Sequence, residues 1–131
     1  MKTIGILITT IAVSLLLFSS CEKDYNLDDN GRLITSSKEC YISTFELLGS
    51  DHRTVLVSAA KVDTVAQTIT AIAKGGTNLK HVKPYCSAAI DACIAPVMGV
   101  WTDFSEPREY TVISGDKSIR KTYTVTITMQ K

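Results

Sequence analysis

The chain lacks a surplus of charge. It has 14 Lys+Arg against 13 Asp+Glu, a net charge of +1, with no run or stripe of either sign. A nucleic-acid partner draws its affinity from a clustered basic footprint, so nucleic acid is excluded as a partner. Histidine is scarce: His52 and His81 stand alone in sequence. Cys86 and Cys93 have six residues between them, which is not the ligand spacing of a zinc site, and no metal or cofactor is expected. There is no G-x-S-x-G elbow and no Cys–His pairing with sequence context, so no catalytic residue is assigned and the chain is not read as an enzyme. Asp103 and Glu106 form the nearest thing to a carboxylate pair, and both read as solvated turn residues. Asp28-Asp29-Asn30-Gly31 lacks the spaced oxygen ligands and closing Glu of a calcium loop. No repeat is visible, and no segment holds a helical period over three turns.

What is present begins at the N-terminus. Lys2 precedes an uncharged apolar stretch, Ile4 to Ile8 and Ile11 to Phe18, ending in Ser19-Ser20-Cys21. A short basic segment, an apolar segment and small residues at the cut describe an export signal. The stretch is shorter than the ~20 apolar residues of a comfortable membrane span. Leu17-Phe18-Ser19-Ser20-Cys21 resembles the lipobox of bacterial lipoproteins, with Phe18 where that pattern prefers a smaller residue. The resemblance implies removal of residues 1–20 and a covalent diacylglycerol and fatty acyl lipid on Cys21. Acyl chains contribute ~0.8 kcal/mol per buried methylene, so two or three of them anchor stably. The expected location is the outer membrane, lipid-anchored, facing the periplasm or the outside. Loss of Lys2 leaves a neutral mature chain, whose membrane partner is reached through the lipid.

Residues 21–37 are polar, acidic and aperiodic, and read as a flexible tether. The remainder, 38–131, reads as strands. Tyr41–Leu48 alternates around Phe45 and Leu47. Thr54–Ala60 carries Val55, Val57 and Ala59 on one parity, and Gln67–Ala73 carries Ile69, Ala71 and Ala73. Val62–Ala66 reads as a connection and Gly75–Asn78 as a breaker. Leu79–Pro84 fits either a turn of helix or an extended lead into a strand at Tyr85–Ala89. At the C-terminus Tyr123, Val125, Ile127 and Met129 alternate with Thr122, Thr124, Thr126 and Thr128, the period of a half-buried strand. Glu109–Ile113 is its natural partner across Ser114–Ser118. Seven or so short strands at such spacing predict an all-β fold, a single immunoglobulin-like two-sheet sandwich.

Ser43-Thr44-Phe45-Glu46-Leu47, the Gly76–Pro84 phrase, Asp103–Val112 and Lys121–Ile127, in that order and spacing, resemble an immunoglobulin-like (cadherin-like) domain of unknown function in Bacteroidetes surface lipoproteins. The resemblance spans roughly residues 40–130. It implies core or corner roles for Phe104, Tyr110 and Tyr123, with Pro107 at the start of a strand. These are framework motifs and speak to fold more than to function.

Two features remain. Trp101 is the sole tryptophan; it caps one end of the core or presents a contact face to a sugar or protein. Cys40, Cys86 and Cys93 are left after Cys21. In an exported chain one bridge can form: Cys86–Cys93 is the pairing expected, Cys40–Cys86 its rival, and three unbridged thiols the third possibility. The function expected is that of a non-catalytic binding or spacer module in glycan handling at the cell surface. The alternative is a small accessory or inhibitor subunit of an envelope protein complex.

Overall fold

The computed structural model describes residues 25–131. The export segment and the lipid site, Cys21, lie outside them. Two units are distinguished, one ending at Arg32 and one running from Leu33 to Lys131. In the first, the Asp28 carboxylate accepts hydrogen bonds from the Asn30 and Arg32 amides at 2.9 and 2.8 Å, and Gly31 takes a left-handed φ of 75°. This is a side-chain-closed turn that Asp favours.

The second unit is all-β. Its seven strands are β1 (Ile42–Leu48), β2 (Lys61–Asp63), β3 (Thr68–Ala73), β4 (Lys83–Ala88), β5 (Cys93–Ala95), β6 (Arg108–Ile113) and β7 (Arg120–Met129). They form two sheets, β1-β4 and β2-β3-β7-β6-β5. The C-terminal strand has the longest alternation in sequence, and it is bonded on both sides. It runs parallel to β3 (Ile69 beside Val125) and antiparallel to β6 (Tyr110 beside Tyr123). Tyr123 and Val125 are accordingly fully buried, and their threonine neighbours line the outer face.

One core serves both sheets. Ile42, Phe45 and Leu47 of β1 cluster with Ile69, Tyr110, Val112, Tyr123 and Val125 of the larger sheet, and with Phe104 from the loop before β6. The Tyr123 hydroxyl accepts from the Ile42 amide at 3.4 Å, and the Cys40 thiol donates to Val112 O at 3.3 Å. Phe104 meets Phe45 edge-on at 6.1 Å and lies flat beside Tyr110 at 6.3 Å, both stabilising ring arrangements.

Three segments depart from their sequence reading. Residues 54–60 hold no strand: they make only isolated bridges, Leu48 to Thr54 and Leu56 to Ala73. Leu56 is the buried side chain there, whereas Val57 is exposed, so the parity read from Val55, Val57 and Ala59 is the wrong one. The expected connection at 62–66 begins inside β2. Asp63 then closes the β2–β3 turn, its Oδ1 accepting from the Val65 and Ala66 amides, and Gln67 takes φ 56°. Thirdly, residues within the predicted tether join the domain. The Thr35 amide donates to Gly115 O at 2.8 Å, and Ser37 O accepts from the Asp116 amide at 2.9 Å.

Candidate functional site

Trp101 does not cap the core. It lies in the loop between β5 and β6, which follows the cis Ala95–Pro96 bond and is fastened along residues 79–84. The Gly99 amide donates to Pro84 O at 2.9 Å. Val82 and Thr102 exchange both backbone bonds, at 3.2 and 2.7 Å, and the Phe104 amide donates to Leu79 O at 2.7 Å. Gly99 is required twice over: its φ is +74°, and a Cβ there would sit 3.2 Å from the Tyr85 ring. Phe104, 1% exposed, pins the end of the loop in the core. Trp101 is thus held between two fixed points and remains 40% exposed.

Three basic side chains gather on it. The His81 ring stacks on the indole with centroids 4.0 Å apart and planes 15° apart. His52 lies 6.0 Å away, tilted by 38°. The Lys83 ammonium is 4.5 Å from the ring centroid, within the ~6 Å range of a cation–π attraction. Sequence reasoning took the two histidines as isolated, and no local signal joins them. They come together because the breakers at Gly49–Asp51 and Gly75–Asn78 turn the chain where the 96–101 loop also passes.

The stacked pair separates two open clefts. Trp101 lines the larger, about 660 Å³, with Val97, Val100, Asp103, Arg108 and Glu109 among the other walls. His81 lines the smaller, about 370 Å³, with Asp51 and Asn78. Both fall within the ~300–1,000 Å³ of small-molecule sites. In the larger cleft Asp103 Oδ1 accepts from the Ser105 amide and hydroxyl at 2.8 and 2.6 Å. Those bonds, with the nearby Arg108 and Lys80 charges, hold the Asp103 carboxyl below its usual range. Arg108 Nε is committed to Asp103 O at 2.6 Å. Tyr110 is pushed up, chiefly by burial, with the Thr102 hydroxyl partly offsetting it. This arrangement offers a fixed ring edge surrounded by hydrogen-bonding and charged groups.

The cysteines lie apart from this. Cys40, Cys86 and Cys93 are free thiols, Cys40 buried. Cys86 stands on β4, opposite Phe45, and Cys93 on β5, opposite Ile113. The two residues named for a bridge therefore occupy different sheets, and no bridge joins them in this structure. Burial pushes the Cys86 thiol up to about 12. Lys117 Nζ approaches Cys93 Sγ at 3.8 Å. Among the described residues no group of three His, Cys, Asp or Glu is arranged to hold a metal.

Known proteins place this geometry in context. A family model described as "SGBP, N-terminal" matches residues 42–127. Among solved structures, the chain is similar to a candidate glycoside hydrolase from Bacteroides thetaiotaomicron. Identity there is 26% and the TM-score 0.63; the match covers 77% of this chain and only 28% of that one. A candidate secreted protein from Bacteroides fragilis matches at 17% identity and TM-score 0.54, over 72% of this chain and 98% of the other. A DUF4623 family protein from Bacteroides eggerthii matches at 12% identity and TM-score 0.55, over 71% of this chain and 22% of that one. No curated protein matches the chain.

Proposed function

This chain belongs to the SGBP, N-terminal family, and from that premise we propose that it is a non-catalytic glycan-binding module, held at the outer membrane by lipid on Cys21. The family is named for the N-terminal part of starch- or glycan-binding proteins, and the structural neighbours are Bacteroides proteins, one of them described as secreted. The observation that carries the reading is Trp101, half exposed on a loop fixed by four backbone hydrogen bonds and one buried ring. An aromatic edge held rigid before the ligand arrives presents apolar area to the C–H faces of a sugar at little entropic cost. The polar walls around it, Asp103, Arg108 and Glu109, suit hydroxyls. The two-sheet framework supplies the rigid support. In the Bacteroides fragilis neighbour the same fold fills nearly the whole chain.

The test is a glycan array with the detergent-solubilised full chain, wild type beside Trp101→Ala. The reading expects glycan binding by the first and its loss in the second, with unchanged circular dichroism. No binding to any glycan, together with a protein recovered stoichiometrically from envelope extract, would instead support the accessory-subunit role. The anchor is tested separately: Cys21→Ser should release the protein from membranes, and intact mass of the wild type should show acyl additions and loss of residues 1–20. A full-length unmodified chain in the membrane fraction would rule the anchor out.

A further inference from the structure

Three nitrogen-bearing side chains meet the Trp101 ring. Lys83 places its ammonium 4.5 Å from the ring centroid, His81 stacks at 4.0 Å and His52 stands at 6.0 Å. Among the described residues none of the three side chains forms an ion pair or a side-chain hydrogen bond. Of the carboxylates lining the two clefts, Asp51 Oδ1 accepts from the Arg53 amide and Asp103 Oδ1 from Ser105. A lone ammonium on the surface would simply be solvated. Here the strand fixes its stem, because Lys83 opens β4 and is only half exposed, and the indole fixes its head. Its donors are therefore preorganised and electrostatically unsatisfied beside an apolar ring edge.

From this we propose that the ligand of the Trp101 ridge is an acidic glycan, whose carboxylate or sulfate is received by Lys83 and His81 while its sugar ring packs against the exposed edge of Trp101. This rests on the glycan-binding reading above and names the chemical class of its ligand. A neutral glycan satisfies hydroxyl-directed groups equally well but leaves the ammonium without an anion, and charge-assisted hydrogen bonds are roughly twice as strong as neutral ones. Glu109 and Asp103, which line the larger cleft, would repel a densely charged polymer. The fit is thus to sugars carrying an isolated acidic group at the ridge.

The experiment is calorimetric titration of the detergent-solubilised full chain with three oligosaccharide probes of equal length: a galactan oligomer carrying a single uronate, one carrying a single sulfate ester, and the neutral galactan oligomer. An acidic probe should bind at least about tenfold more tightly than the neutral one, a difference of about 1.4 kcal/mol, and should weaken as salt is raised. Lys83→Met should abolish that preference while leaving residual neutral binding, and Lys83→Arg should restore it. Preference for the uronate over the sulfate, or the reverse, identifies the anion. Neutral binding as tight as acidic, indifferent to salt and to Lys83→Met, overturns the proposal and leaves the glycan reading intact. Failure of a folded wild-type protein to bind any probe, with an empty glycan array, overturns both.

Discussion

The β3-β7-β6 face and the Trp101 ridge belong to one small domain, but they are built on opposite terms. In the first, backbone ladders on both sides of β7 and alternation along it put each apolar side chain where the pleat sends it, and Tyr123 and Val125 have no exposed surface. In the second, order comes from isolated contacts: four backbone bonds, a glycine with positive φ and one ring pinned in the core. The first arrangement stores stability. The second holds an exposed aromatic and unpaired basic groups that contribute little to folding, and a binding surface is assembled from such parts.

The largest effect expected from breaking this division is at Val125. Val125→Asp places an unpaired carboxylate in the closed core between Ile69 and the β6 strand. The cost should be several kcal/mol, a large share of the ~5–15 kcal/mol a domain commands. Denaturant titration of the full chain should show no folded baseline at ambient temperature. A cooperative transition near the wild-type midpoint would mean that β7 is not the central strand.

That strand and its partners were legible in the sequence because period-two patterning survives wherever one face is buried. The β6–β7 hairpin and the parity of Gln67–Ala73 follow from it, whereas the core places of Phe104, Tyr110 and Tyr123 rest on the family resemblance, Phe104 lying outside any strand. The run at 54–60 misled for the same reason in reverse. Its residues are as β-branched as a strand's, but they pair with Leu48 and Ala73 only at single bridges, their backbone bonds running to Leu47, Ile72 and Lys74, so Leu56 turns inward by tertiary context and not by pleat. β2 was missed because three residues are too few to show a period. At the site, Trp101 was legible by composition alone. His81, His52 and Lys83 were not, since their meeting depends on where two separate loops cross.

An intermediate effect is expected at Gly115, where a residue within the predicted tether meets the β6–β7 turn. A Cβ there would run into Thr35 Oγ1 and come within 2.8 Å of Asp91 Cβ. Gly115→Ala should therefore displace residues 35–37 and cost about 1–3 kcal/mol, the usual range for overpacking. Hydrogen exchange is the readout: the Thr35 and Asp116 amides should lose protection while those of β7 keep theirs. Unchanged protection at both amides would show that the segment is not fastened at this point.

Trp101→Ala should cost less, about 1–2 kcal/mol, because a half-exposed ring forfeits only part of what a buried one contributes. Thermal denaturation of the variant measures it. A loss as large as that of Val125→Asp would make Trp101 a structural residue and remove the contrast between the two regions.

The smallest effect is a pH dependence confined to the hairpin end. Asp116 accepts from the Ser114 hydroxyl at 2.6 Å, and from the Ser118 amide and hydroxyl at 3.0 and 2.7 Å. These bonds, led by the Ser114 hydroxyl, lower its carboxyl from an ordinary 3.8 to about 2. They form to the ionised carboxylate, so their contribution is complete above the unfolded value near 4. It declines as pH falls from there through about 2. Ser114 is fully buried, and its hydroxyl oxygen also accepts from the Ile119 amide at 3.1 Å, so protonating Asp116 disturbs a donor that has no water to turn to. The Asp116 amide itself holds Ser37 O, which couples the turn to the segment leading into the domain. Asp103 is lowered as well, but its bonds reach only Ser105, two residues away, and its protonation should leave the ridge in place. Because Trp101 is the only tryptophan, its emission reports the ridge alone. As pH is lowered from about 4 to about 2, protection of the Thr35 and Asp116 amides should fall before Trp101 emission changes, and Asp116→Asn should remove that early phase by lowering protection at neutral pH. Simultaneous loss of both signals in the wild type would mean that the two regions unfold as one unit in acid, and that the Asp116 turn has no separate response.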